Sequence, residues 1–176
     1  MLEIESKILE INKEEIIDKL EKMNYIEKKE RKLISLLYDT KEDSIVKKGG
    51  IVRLRFDGQK GYLTIKTPIE NSSKGGIKIF HENEKEINFK EKEKEFRKTH
   101  ILLLKTEKYR ITYRFENCIV EIDEYLGNMN YIPIFLEIEA ENEKIIIKKA
   151  KELGFNKEKL YRGSTLDLIN KYSISI

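Results

Sequence analysis

The sequence predicts an α+β fold in which an antiparallel sheet closes into a barrel with a charged interior and helices packed outside. Three observations carry this. Several segments alternate apolar and charged residues with the period of a half-buried strand. Others carry helix caps and apolar residues at helical spacing. The strand charges are also sorted by sign: Arg53, Arg55, Lys66, Lys108 and Arg110 lie on cationic faces, and Glu3, Glu5, Glu121, Asp123, Glu137 and Glu139 on anionic ones. A sandwich with one face in water explains the alternation but not the sorting. Closure, with apolar faces turned out under helices and charged faces turned in, explains both.

The opening segment Leu2-Glu3-Ile4-Glu5-Ser6-Lys7 reads as a strand with Glu3, Glu5 and Lys7 on one face. Asn12-Lys13-Glu14-Glu15 has the form of a helix N-cap with glutamate three positions on, followed by Ile16, Ile17, Leu20 and Met23 at helical spacing. Leu33–Thr40 reads as a strand, and Lys41–Lys48 as a short helix closed by Gly49-Gly50. Ile51–Phe56 and Tyr62–Thr67 flank a turn containing Asp57-Gly58, a hairpin signal. Ile69–Gly76 reads as a flexible connection, Ile77–Ile87 as a strand, and Lys90–Lys98 as a solvated helix around Phe96. Strands then follow from Lys108, around Glu121 and Asp123, and over Phe135–Ala140. Helices are expected over Asn142–Leu153, ended by Gly154, and over Ser164–Lys171.

Composition narrows the chemistry. The 176 residues read as one domain, residues 1–176, because no Pro-, Gly- or Ser-rich stretch divides them. With 35 Lys and Arg against 32 Asp and Glu, the net charge of +3 lacks the basic excess of a general nucleic-acid binder. The lone Cys118 excludes an internal disulfide framework and a cysteine zinc site, and His81 and His100 are too few for a histidine metal centre. A metal must therefore be held by carboxylates. The N-terminus starts with charges, and apolar clusters such as Ile101–Leu104 are too short to span a bilayer, so a cytoplasmic protein is expected.

Enclosed charges are costly unless paired, hydrated or coordinated; breaking one buried pair costs about 3–5 kcal/mol. A cationic wall suits a polyphosphate, which guanidinium forks bind in bidentate fashion. A carboxylate wall suits Mg²⁺ or Mn²⁺ bridging the same phosphates. No GxxxxGK loop is present, so side chains must recognise the phosphates.

Glu3-x-Glu5-x-Lys7, Tyr38-Asp39-Thr40, Arg53-x-Arg55, Leu63-Thr64-Ile65-Lys66, Lys108-x-Arg110-x-x-Tyr113-Arg114, Ile122-Asp123 and Glu137-Ile138-Glu139 occur in that order along the chain. In this the sequence resembles the CYTH family, or triphosphate tunnel metalloenzymes, which include class IV adenylate cyclases, thiamine triphosphatases and inorganic triphosphatases. The resemblance implies an eight-stranded antiparallel tunnel. It also implies that Glu3, Glu5, Asp123, Glu137 and Glu139 are metal ligands, and that Lys7, Arg53, Arg55, Lys66 and Arg110, with Lys108, grip a triphosphate. Two departures stand out. Phe80-His81-Glu82-Asn83-Glu84 lacks the arginine that often precedes the paired glutamates, and Arg162-Gly163-Ser164-Thr165 lacks the aromatic of the family pattern, so Ser164 receives no role. His81 reads as a surface or hydrogen-bonded histidine rather than a general base.

The expected function is metal-dependent hydrolysis of a phosphoanhydride in a small-molecule triphosphate, with Lys66 required for activity and Glu5 or Glu139 positioning or deprotonating water. The alternatives are a class IV adenylate cyclase making cyclic AMP and pyrophosphate, and a non-catalytic module that binds polyphosphate or a triphosphate end. Neither membrane nor general nucleic-acid binding is expected, and the protein is expected as a monomer or homodimer.

Overall fold

Pairing across the ends of the chain is what shapes this molecule. A computed structural model describes residues 2–69 and 76–173. Its strands are β1 (Leu2–Ile8), β2 (Glu27–Asp39), β3 (Ile51–Phe56), β4 (Gly61–Pro68), β5 (Lys78–Ile87), β6 (Ile101–Arg114), β7 (Cys118–Tyr125), β8 (Phe135–Ala140) and the short β9 (Leu160–Tyr161). Its helices are α1 (Lys13–Glu21), α2 (Phe89–Thr99), α3 (Glu143–Glu152) and α4 (Thr165–Tyr172). The sheet runs β5-β4-β3-β2-β6-β7-β8-β1, and β1 also pairs with β5, so eight strands close a ring. These pairings are antiparallel, and β9 adds beside β1. The closed antiparallel barrel with helices outside is the fold expected.

The outward faces are apolar, as closure requires. Ile4 and Ile8 of β1, with Ile111, Val120, Ile122, Leu136 and Ile138, pack against Ile16 and Leu20 of α1 and Ile146 and Ala150 of α3. Leu36, Tyr38, Val52, Leu54 and Leu63 form a second layer with Phe96 of α2. A third cluster, holding Tyr125, Phe135 and Leu168, sets α4 across one end of the barrel. No helix among the described residues is long and apolar enough to cross a membrane.

The capping signals act as expected. Asn12 and Asn142 accept hydrogen bonds from the backbone N–H groups of Glu15 and Ile145. In the hairpin, Asp57 accepts from the N–H groups of Gln59 and Lys60, and Gly58 takes φ +93°. Ser164, given no role from the sequence, forms a full capping box with Asp167 at the start of α4. Ser164→Ala is expected to cost about 1 kcal/mol and to lower Tm by about 2–4 °C for a domain of this size, read by thermal unfolding.

Three local expectations are corrected. The helix over Lys41–Lys48 is only a 3₁₀ turn at Val46–Lys48, ended by Gly49 at φ 69°. Asp39 accepts from the backbone N–H groups of Thr40, Ile45 and Val46 at 2.6–3.0 Å, and Thr40 Oγ1 from that of Ser44, so side chains take donors a helix would use. β2 starts at Glu27 rather than Leu33 because its first half has no apolar face to reveal a period; the ladder to β6 holds it. β6 likewise starts at Ile101, seven residues before Lys108. Of the connection expected over Ile69–Gly76, residues 70–75 lie outside the described residues.

Candidate active site

Because opposed residues in an antiparallel ladder share a face, register fixes what enters the barrel. Glu5 lies opposite Glu139 and Lys7 opposite Glu137; Glu121 lies opposite Glu137; Arg110 lies opposite Asp123. Arg53 lies opposite Thr64, and Thr64 and Lys66 lie opposite Glu84 and Glu82. The inward cations Lys66, Arg53, Arg55, Lys108 and Arg110 thus come from the contiguous strands β4, β3 and β6, with Arg31 of β2 between them. The inward acids Asp123, Glu121, Glu137, Glu139, Glu3, Glu5, Glu82 and Glu84 come from the contiguous strands β7, β8, β1 and β5. One half of the barrel wall is basic and faces an acidic half, in which Lys7 and Lys78 are the inward exceptions.

The halves interlock. Lys66 donates to Glu3 at 2.5 Å and pairs with Glu82 at 3.0 Å and Glu5 at 3.6 Å. Lys7 pairs with Glu137 at 2.7 Å and Glu5 at 3.3 Å. Burial opposes the charge of both lysines, but the carboxylates outweigh it and hold them above the ordinary lysine range. Arg110 forks onto Asp123 with two bonds of 2.6 Å, pairs with Glu121, and reaches Glu137 at 4.0 Å. Lys108 donates to Asp123 at 2.6 Å; burial, then the Arg110 charge, push it down to about 8. Arg55 Nη2 donates to both carboxylate oxygens of Glu84, at 2.9 and 3.0 Å.

Two groups are left with spare capacity. Arg53 reaches Thr64 Oγ1 at 3.3 Å and Glu84 at 3.8 Å, and its buried Nε has no hydrogen-bond partner among the described residues. Glu139 makes no ion pair among the described residues, and burial together with Glu121 and Glu137 push it up to about 7. Burial likewise pushes Glu3 up to about 9 against the pull of Lys66.

Not every expected residue joins the group. Asp123 is fully buried with both oxygens engaged by Arg110 and Lys108, which sets it apart from the exchangeable carboxylates. His81 is exposed and shares its register position with Leu2, on the face opposite the inward Phe80 and Glu82. Arg114 pairs with Glu27 at 3.4 Å in the mouth of the barrel. Glu82, Glu84 and Glu121 are the additions. The alternation around Glu82 and Glu84 was visible, but their cationic partners stand on strands distant in sequence.

The donor chemistry suits a hard divalent cation: carboxylate oxygens of Glu3, Glu5, Glu137 and Glu139 project inward from adjacent strands β1 and β8. Among the described residues no three acids converge as a ready cage, because Lys7 and Lys66 stand between them. A cation would relieve the like-charge strain at Glu139. This has a consequence for the metal-free protein. A folded-state value raised above the unfolded one means that the native state binds more protons, so the part of the stability that Glu139 contributes is fully present below about pH 4.5 and is lost as pH rises through about 7. Urea unfolding is expected to show that decline for wild type and a flatter profile for Glu139→Gln.

The family model for the CYTH domain matches residues 1–172. A search of curated protein sequences finds no match. Among solved structures, the chain is similar to a conserved hypothetical protein from Pyrococcus furiosus at 22% identity and TM-score 0.76, covering 95% of this chain and 99% of that one. A Vibrio parahaemolyticus protein, provisionally described as an adenylate cyclase, aligns at 12% identity and TM-score 0.79 over 97% of this chain and 98% of its own. HpAC1 from Hippeastrum, provisionally an adenylyl cyclase and described as having a dominant triphosphatase activity, aligns at 18% and TM-score 0.70, covering 96% and 95%. At these identities the likeness establishes the fold; the family match, spanning every strand that closes the ring, establishes that the chain belongs to the CYTH domain family.

Proposed function

We propose that the barrel binds a triphosphate between its basic and acidic halves and hydrolyses a phosphoanhydride with the help of Mg²⁺ or Mn²⁺. The observation that carries this reading is the facing of the two walls, with Arg53 Nε buried and without a hydrogen-bond partner among the described residues. Arg53, Arg55, Lys66 and Arg110, with Lys7 and Lys108, neutralise and align the phosphates. Glu3, Glu5, Glu137 and Glu139 would hold the metal, which when bound polarises phosphoryl oxygens and offsets their charge. Asp123 serves instead to orient Arg110 and Lys108.

Glu139, without an ion pair among the described residues, is better placed to take a proton from water than Glu5, whose carboxylate is tied to Lys7 and Lys66. Lys108, pushed down to about 8, can return a proton to the leaving oxygen. Water then adds to phosphorus as the anhydride P–O bond breaks. The resemblance of HpAC1, with its described triphosphatase activity, supports hydrolysis over cyclisation.

The test is product identification from a panel of triphosphates with Mg²⁺ or Mn²⁺. Orthophosphate is expected. Pyrophosphate with cyclic AMP from ATP would replace hydrolysis by the cyclase reading. Absence of turnover with any divalent ion, together with unaltered triphosphate binding in Glu3→Gln and Glu137→Gln, would leave only a binding module.

A further inference from the structure

β2 and β6 pair with each other along their whole length, Glu27–Asp39 against Ile101–Arg114, but their outer neighbours reach only part of each. β3 covers residues 34–38 of β2, and β7 covers residues 108–114 of β6. On the β7 side the last bond is from the Leu126 N–H to the Glu107 carbonyl at 2.8 Å. Residues 27–33 and 101–106 therefore have a paired strand on one side only among the described residues. An open edge presents a row of N–H and C=O groups and is a template for another strand unless charge blunts it. The first edge is blunted by six charged residues in a row, Glu27, Lys28, Lys29, Glu30, Arg31 and Lys32. The second is not. Ile101, Leu102 and Leu103 are 42%, 40% and 37% exposed in succession, and Lys105 is the one charged residue in the stretch. The bulge at Leu103, where Leu104 pairs with Leu37 and Leu102 with Tyr38, twists this edge but adds no charge to it.

We infer that residues 101–106 of β6 form the contact between two copies of this chain, joined strand to strand about a twofold axis at Leu103. An antiparallel pair of identical strands is self-complementary, so one patch serves both copies and the assembly closes at two. The register centred on Leu103 sets Leu102 opposite Leu104 of the second copy and Ile101 opposite Lys105 of the second copy. The two lysines then do not meet, and the aliphatic stem of each lies along an isoleucine, so no like charges are opposed. Pairing gives the open backbone groups partners and removes the three apolar side chains from water. A helix or a lipid surface laid on the same side chains would leave those backbone groups without partners, which is why the occupant is a strand. One strand pair is a small contact, and association in the micromolar range is expected. The inference stands apart from the reaction read in the tunnel, because Ile101, Leu102 and Leu103 do not belong to its charged lining.

The test is analytical ultracentrifugation of the whole chain from about 1 to about 200 µM, for wild type, Ile101→Lys and Leu102→Lys, with folding checked by thermal unfolding. Both positions are exposed, and lysine is a blunting residue that natural edge strands use. Wild type is expected to pass from the 20.9 kDa of one chain to twice that mass as concentration rises. Each lysine is expected to weaken association by about tenfold or more. A second measurement needs no variant: amide hydrogen exchange at residues 101–106 is expected to slow as the wild-type concentration rises, while that at residues 27–33 keeps its rate. Wild type that stays at the mass of one chain across this range overturns the inference. So does a dimer that neither lysine weakens, assembly that continues past two copies, or exchange at residues 101–106 that does not follow concentration. None of these results bears on hydrolysis, which the product panel tests separately.

Discussion

Arg110→Met is expected to destabilise the barrel by about 3–5 kcal/mol, the cost of stripping one partner from a buried charge cluster. That is a large part of the roughly 5–15 kcal/mol that holds a domain folded. Asp123, fully inaccessible, would keep only Lys108, and Glu121 would lose its guanidinium partner. Asp123 and Glu137 are both held below the usual carboxylate range although burial opposes it, chiefly by Arg110 for the former and by Lys7 and Arg110 for the latter. Stability from such depressed values is present above the unfolded pKa and is lost as pH falls through the folded one, so the deficit of the variant should shrink toward strong acid. Urea unfolding at neutral and acid pH measures both effects. A loss below about 1 kcal/mol at neutral pH, the size expected of an exposed pair, would mean that the cluster is hydrated and not tightly paired.

Arg53→Met should behave in the opposite way, with kcat/KM for triphosphate falling about 10- to 100-fold while stability changes by no more than about 0.5 kcal/mol. A hydrogen bond to a charged group is worth about 1.5–3 kcal/mol, and about 1.4 kcal/mol corresponds to tenfold. Stability should hold because Glu84 still accepts from Arg55 Nη2 and, at 2.6 Å, from the hydroxyl of Thr64, so no acid is orphaned. Steady-state kinetics beside urea unfolding separates the outcomes. Unchanged turnover with a loss of more than about 2 kcal/mol would make Arg53 structural.

The contrast between these arginines shows what a single chain can disclose. Arg53 and Arg110 both stood out by two-residue alternation, as did Glu3, Glu5, Lys7, Glu137 and Glu139, because strand period needs only local sequence. What distinguishes them is register, which joins residues up to dozens of positions apart. Thus the resemblance implied a metal ligand at Asp123, and only its opposition to Arg110 reveals that both its oxygens also meet a guanidinium fork. Glu82 and Glu84 had an uncertain wall until the β4–β5 ladder set them against Lys66 and Thr64. The first half of β2 was silent because its residues are polar on both faces, and Asp39 gave no sign that it would gather three backbone donors.

The grouping of basic strands on one side and acidic strands on the other polarises the barrel across its diameter. Such a lining is close to neutral as a whole, in keeping with the net charge of +3, yet it sustains a strong transverse field in a low-dielectric enclosure. A field of that form does little to attract a bare anion or a bare cation from a distance. It rewards a guest that is itself a dipole, and a metal–triphosphate complex, anionic on one flank and cationic on the other, can align with it in only one sense. Selectivity of this kind resides in orientation, so it should tolerate ionic strength better than a surface patch that depends on net charge.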